Sequence, residues 1–396
     1  MSDLPRPDRA LRQLTIAGFK RFAAVTLDFA PLTVLTGTNG AGKTSVIHAL
    51  LLAREASLPG ARSVQLNGPY GLELGTASDV LNIHTALDRS EVVIHADLAD
   101  STSLRFTLDA SQEDLFYRRE AAAANPGAPA AALEGPLRDR CGALTGGNRA
   151  FTYLCAERLG PREILRASAL PTDELGVGVQ GEFCAQLLAV HDLKAKVPPT
   201  RRHPDRQDES SAFLKYQVEA WLSEIVRPVE LETASFPNTT VTALRFRSPG
   251  GEWVRAPNKG FGVSYALPIL LAGLFAPEGA DSLLIVENPE AHLHPAGQSK
   301  IGAFLARLAQ SGVQVVLETH SDHVLNGIRR AIGEQGILDA DRAIAHFFDM
   351  ESEAEPTITA LRFTRAGGMS EWPRRFFDQY QLDVAALTRA RRGPAR

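Results

Sequence analysis

Between residues 11 and 36 the apolar positions first alternate with polar ones and then run together. Leu14 and Ile16 are followed by Val25, Leu27 and Phe29 set against Thr26 and Asp28, and then by the unbroken run LTVLT from Leu32 to Thr36. The period of two predicts short strands, the last of them buried. A helix is expected directly afterwards through SVIHALLLAREA, and residues 92–109 read as a hairpin of the same sheet. Further along, Phe213, Leu214, Val218, Trp221, Leu222 and Ile225 recur at three and four residues, which predicts an amphipathic helix whose stripe is core packing. The C-terminal third alternates SLLIV, IGAFLARLAQ, VQVVLE and HVLNGIRRAI. Strand followed by helix, twice over, points to a parallel sheet covered by helices. Two tracts break the periodicity: the Ala/Pro/Gly-rich stretch Glu120 to Pro136, expected as a linker or loop, and the Pro- and charge-rich stretch Lys196 to Ser211.

At 396 residues the chain can hold two to three structural units, or one large core with an inserted lobe. Lys and Arg number 42 against 46 Asp and Glu, a net charge of −4, so no basic face that coats nucleic acid is advertised and any such contact must be local. The longest apolar run, Ala266 to Ala276, is about half of a bilayer span. Cys141, Cys155 and Cys184 have no CxxC spacing and an odd count, which excludes a disulfide framework. The expectation is a cytoplasmic protein without membrane association.

GTNGAGKT, Gly37 to Thr44, fits GxxxxGK[ST] between a buried strand and a helix. Glycines at 37, 40 and 42 let the backbone N–H groups of Thr38, Asn39 and Ala41 turn inward towards phosphate oxygens at a helix N-terminus. Lys43 supplies a cation for the outer phosphates, and Thr44, with Ser45 as its neighbouring alternative, supplies a hydroxyl for Mg²⁺. SLLIVENPEAHLHP delivers Glu287 from the end of a buried strand, as a carboxylate for a Mg²⁺ shell. Within the following turn Glu290 is the acid expected to polarise a water. His292 and His294 lack a third metal ligand and read as positioning or interface residues. The next strand ends in ETHS, which puts His320 at the carboxyl edge where ligands bind in such sheets. NKGFGVSYAL places Gly260, Gly262 and Ser264 ahead of an apolar helix, with Ser264 as its expected N-cap and Pro268 in or near its first turn.

The ordered set GTNGAGKT, the Gly/Ser helix start, LLIVENPEAHLHP and ETHSDHVL, with the opening LTIAGFKRF, resembles the ABC-type ATPase heads of the RecF, SMC and OLD families. The wording YLCAERLGPRE, GVQGEF, GFGVSYALPIL, VENPEAHLHPAGQ and SEWPRRFFDQ is similar to short stand-alone prokaryotic ATPases that carry a small C-terminal domain of unknown function. The resemblance implies an α/β P-loop NTPase with ABC/SMC-head-like mixed and parallel sheets, an inserted mainly helical lobe and a small C-terminal extension. It implies that Lys43, Thr44 and Glu287 bind Mg²⁺ and ATP, that His320 senses the γ-phosphate, and that Gly262 and Ser264 reach the ATP of a second subunit in an ATP-dependent homodimer. Arg21 or Lys20 is expected at the nucleotide and Gln65 at a loop between lobes. Such heads carry Glu after the strand-end acid, whereas this chain has Asn288, so turnover is expected to be slow.

On this reading residues 1–110 and 236–350 form one split ATPase core, 111–235 an insert, and 351–396 a C-terminal piece with the basic residues Arg389, Arg391, Arg392 and Arg396. The expected function is a slow ATPase that acts on DNA or drives a separate effector protein, such as a nuclease, in defence or repair. The alternative is a nucleotide-dependent switch with negligible turnover. Arg158 and Arg162 are candidate phosphate or partner contacts, equally readable as surface ion pairs.

Overall fold

A computed structural model describes residues 10–58, 61–84, 90–111, 113–124, 144, 147, 149–236, 239–278, 282–350 and 355–391. The chain begins β1 (Leu11–Phe19), β2 (Phe22–Asp28), β3 (Leu32–Gly37), α1 (Lys43–Ser57), β4 (Ser63–Gln65), β5 (Glu91–Leu98), β6 (Ser103–Asp109) and β7 (Phe116–Ala124). It continues β8 (Phe151–Leu154), β9 (Ile164–Arg166), α2 (Cys184–His191), α3 (Leu214–Ile225), β10 (Glu230–Ser235), β11 (Val241–Arg247) and β12 (Val254–Arg255). It ends α4 (Phe261–Phe275), β13 (Ser282–Glu287), α5 (Pro295–Gln310), β14 (Val313–Glu318), α6 (Asp322–Gly333), β15 (Ala343–Asp349), β16 (Thr357–Arg362) and α7 (Gln379–Arg391).

These strands make three sheets. The first is antiparallel, β2-β1-β5-β6-β7-β4, and the expected hairpin is its β5–β6 pair. A smaller one joins β10, β11 and β12, with β9 also on β11. The third, β16-β15-β3-β14-β13-β8, is parallel except for its β15–β16 edge. Its inner strands β13 and β14 are buried at every position, because helices cover one face and the first sheet with α1 covers the other. Leu284 and Val286 therefore enter the core under α3, α4, α5 and α6, while Leu283 and Ile285 enter the core around α1. The period of two along one strand feeds both cores.

The insert does not stand apart as the boundaries at 110 and 235 imply. β7 pairs with β6 in the first sheet and β8 pairs with β13 in the third. An open strand edge presents unpaired N–H and C=O groups, and the insert covers one in each sheet. Among its described residues, helices α2 and α3 are accompanied by four strands, and β16 extends the central sheet from the C-terminal piece. Lys196 to Ser211 is more than a polar break, since Arg201, Arg202 and His203 are buried there. Arg201 donates to the carbonyls of Ala276 and Pro277 at the end of α4. The part of Glu120 to Pro136 beyond residue 124 lies outside the described residues, as do Cys141, Arg392 and Arg396.

Two expectations about α4 change. The helix begins at Phe261 with Gly260 as N-cap at φ 101°, so Ser264 sits in its first turn rather than capping it. Pro268 is an interior residue of the helix. It has no N–H for the carbonyl four residues back, which is that of Ser264 itself.

Candidate functional site

The parallel sheet sets three strand ends side by side. Register pairs Leu35 of β3 with Glu318 of β14, and Glu318 with Glu287 of β13. The phosphate loop leaves from β3, so Glu318 lies one strand away and Glu287 two, at about 4.8 Å per strand.

Gly37 turns at φ 134°, and a Cβ there would lie 2.0 Å from the Phe348 carbonyl oxygen of β15. Only glycine fits so close to that strand. Gly40 and Gly42 follow at φ 73° and 99°. Thr38 N–H donates to the Phe348 carbonyl at 2.9 Å, which anchors the start of the loop. The first turn of α1 contains no acidic residue of its own. Lys43 folds back over the loop, and its Nζ donates to the carbonyls of Thr38 at 2.8 Å and Gly37 at 3.1 Å. Burial lowers the pKa of this ammonium and the charge of Glu318 opposes that shift.

Thr44 meets Glu318, and not Glu287 as the sequence reading grouped it. Its Oγ1 donates to Glu318 Oε2 at 2.9 Å and Oε1 at 3.1 Å. Glu287 instead accepts from Tyr153 Oη at 2.9 Å and Ala156 N–H at 3.2 Å, so it faces β8. Burial raises the pKa of Glu287. Burial and the neighbouring Glu287 charge push Glu318 up to about 7, against the pull of Thr44 and Lys43. Glu318 stood in the same ETHS string as His320, and the signal missed was that β14, like β13, is an apolar run ending in an acid.

His320 is half-exposed, with Nε2 at 3.9 Å from Glu318 Oε1. Burial, and then the Lys43 charge, hold its pKa below the ordinary value, so it is neutral at pH 7. Glu290 does not point freely at a water position. Its Oε2 accepts from Thr319 Oγ1 at 2.7 Å and its Oε1 from His320 N–H at 2.9 Å, which braces the turn carrying His320.

Asn288 adopts φ 45°, a left-handed conformation that Asn tolerates better than Glu. Arg158, a candidate phosphate or partner contact equally readable as a surface ion pair, is buried beneath this turn. It donates to the carbonyls of Glu287 at 2.6 Å, Asn288 at 2.7 Å and Cys155 at 3.1 Å, and lies 5.3 Å from the Tyr265 ring of α4. His292 stacks on Phe261, which is half-exposed, and meets Tyr265 edge-on. His294 caps α5 by accepting from Ala296 N–H.

A cavity of about 830 Å³ opens beside the loop, lined by Lys20, Arg21, Asn39, Gly40, Lys43, Thr44, Ser45, His48, Glu318 and His320 among others. Lys20 Nζ lies 2.7 Å from His48 Nδ1. Burial brings Lys20 down to about 8 and His48 down to about 3, so the imidazole accepts and the ammonium donates. Gln65 is exposed on β4 and does not line this cavity. Gly262 and Ser264 belong to α4, which is likewise outside its lining.

A phosphate loop between a central parallel strand and a helix, with acids at neighbouring strand ends, defines a P-loop NTPase domain. Two family models match the chain: "AAA domain" over residues 13–110, and "AAA domain, putative AbiEii toxin, Type IV TA system" over residues 185–326. The OLD nuclease of Thermus scotoductus is 22% identical, over 78% of this chain and 59% of the relative, so the chain spans about three fifths of that relative's length. The chain is thus similar to AAA-type domains in two separate stretches and, at low identity, to an OLD nuclease. Among solved structures it is similar to the SMC head domain from Thermotoga maritima, at 12% identity and a TM-score of 0.44 over 88% of this chain and 98% of that one. An SMC head bound to the C-terminal winged-helix domain of ScpA gives 11% and 0.48, over 90% and 99%. Among the described residues no helix is long and apolar enough to cross a membrane.

Proposed function

We propose that the chain binds Mg²⁺ and ATP at the Gly37–Ser45 loop, hydrolyses ATP slowly, and dimerises when ATP is bound. The observation that carries this reading is Lys43, whose ammonium lies across the carbonyls of its own loop at the wall of a nucleotide-sized cavity. Thr38, Asn39, Gly40, Ala41 and Gly42 would offer backbone N–H groups to the phosphates, and Arg21 with Lys20 would stand on the opposite wall. The donor set at Thr44 and the two carboxylates consists of hard oxygens, which suits Mg²⁺. Bound Mg²⁺ would supply charge neutralisation at the phosphate oxygens. His320, neutral and held by Glu290 through its backbone, would hydrogen-bond the γ-phosphate.

Gly262 and Ser264, in the first turn of α4 and away from the chain's own cavity, would contact the nucleotide of a second copy. The two half-sites would be related by a two-fold axis. Wild-type protein is expected to double its solution mass with Mg²⁺ and ATP, while Ser264→Arg stays monomeric yet still binds ATP. A wild-type mass unchanged by nucleotide would overturn the dimer.

The brace geometry of Glu290 favours a positioning role. Glu290→Gln, which retains an acceptor oxygen, is expected to cost less than about tenfold in phosphate release, against roughly 10²-fold or more for a general base. Asn288 in the usual acid position favours a second reading, a nucleotide-dependent switch with negligible turnover. In either case a cytoplasmic role in defence or DNA repair is proposed, with a separate effector protein receiving the output. The OLD nuclease relative and the type IV toxin–antitoxin family description support it. With a net charge of −4, DNA would be engaged only through a local basic patch assembled on dimerisation.

A further inference from the structure

Two carboxylates, Glu318 and Glu287, stand unranked in the Mg²⁺ donor set above. We propose that Glu318 is the principal protein carboxylate of the Mg²⁺ site, with Thr44 as its partner, and that Glu287 is held back as an outer, orienting acid. The inference rests on the nucleotide reading above and adds which acid does the work.

Three observations support it. The first is topological: β14 lies between β3 and β13, so Glu318 is a strand closer to the loop than Glu287. The second is contact, because the Thr44 hydroxyl points at both oxygens of Glu318 and at neither of Glu287. A hydroxyl and a carboxylate already within 2.9 Å can share one small cation by a short separation of the two groups. The third is that Glu287 has other partners: Tyr153 and the Ala156 amide occupy its two oxygens. Among the described residues the Thr44 hydroxyl is the hydrogen-bond donor to the carboxylate of Glu318, whose side chain is otherwise buried.

Thr44 would then supply its hydroxyl oxygen and Glu318 a carboxylate oxygen to the cation, the hydrogen bond between them giving way to it. Tyr153 would fix the rotamer of Glu287, so that this acid contributes through a metal-bound water.

The test uses Mn²⁺ as a paramagnetic stand-in, with a non-hydrolysable ATP analogue and the full chain. Electron paramagnetic resonance reads bound against free metal, and fluorescence of a labelled ATP analogue reads nucleotide binding without metal. Glu318→Gln is expected to weaken Mn²⁺ binding in the ternary complex by roughly tenfold or more, whereas Glu287→Gln weakens it less. Metal-free nucleotide binding should be retained in both, since Lys43 and the loop are untouched. Mn²⁺ affinity within about twofold of wild type in Glu318→Gln, alongside a large loss in Glu287→Gln, would overturn the assignment and leave the nucleotide reading standing. Failure of wild-type protein to bind the nucleotide would overturn both.

Discussion

Lys43→Ala is expected to lower phosphate release by at least about 10²-fold, the scale seen when one charged or polar donor is removed from a developing phosphate or oxyanion charge. The Lys43 ammonium is held by the Gly37 and Thr38 carbonyls inside the loop. Exchanging those neutral acceptors for phosphate oxygens gives charge-assisted hydrogen bonds of about 1.5–3 kcal/mol each. Alanine removes that gain and takes about 10- to 100-fold from ATP affinity. Folding should change little, because burial disfavours this charge and its carbonyl partners can be hydrated at the cavity wall. A phosphate-release assay run beside a thermal melt separates the two effects. Lost turnover with a nearly unchanged melting temperature is the expected result.

Arg158→Ala should act on both counts. The guanidinium ties the Cys155, Glu287 and Asn288 carbonyls together and is itself buried. Truncation leaves the buried Glu287 carbonyl and the partly buried Cys155 and Asn288 carbonyls without their donor, at about 1–3 kcal/mol each where water cannot replace it. A loss of about 3 kcal/mol or more is expected, seen as a fall in melting temperature of roughly 5–10 °C. Turnover should drop as well, because the turn that orients Glu287 and Asn288 loses its anchor. Arg158→Lys would restore little, since an ammonium cannot reach the carbonyls with a planar fork. Measured melting temperatures and phosphate-release rates for wild type, Ala and Lys check the ranking.

The parts of this molecule that were legible from sequence are those set by local rules. Strand period, the glycine spacing of the loop and the apolar runs ending in acids lie within a few residues of each other. They placed β3, α1, β13 and β14 correctly, and with them the class of fold. What escaped depends on which strands become neighbours. That Glu318 lies between the loop and Glu287 follows from β14 inserting between β3 and β13, and no local pattern states that order. Arg158 stood between a phosphate or partner contact and a surface ion pair because two of its three carbonyl partners lie more than 120 residues away, and a carbonyl leaves no mark on composition. Arg201 and His203 were obscured in the same way by a Pro- and charge-rich segment that looks solvated yet packs against α4. Ser264 was placed as a cap because it is the best capping residue of its string, whereas Gly260 takes the cap with a positive φ that needs no side chain.

The central claim is that this loop binds ATP together with Mg²⁺, and calorimetric titration of the wild-type chain with ATP, with and without Mg²⁺, tests it most directly. The account predicts saturable binding of one nucleotide per chain, tighter with Mg²⁺ and abolished or strongly weakened in Lys43→Ala. Absence of saturable heat in the wild type, or equal binding by Lys43→Ala, would contradict it.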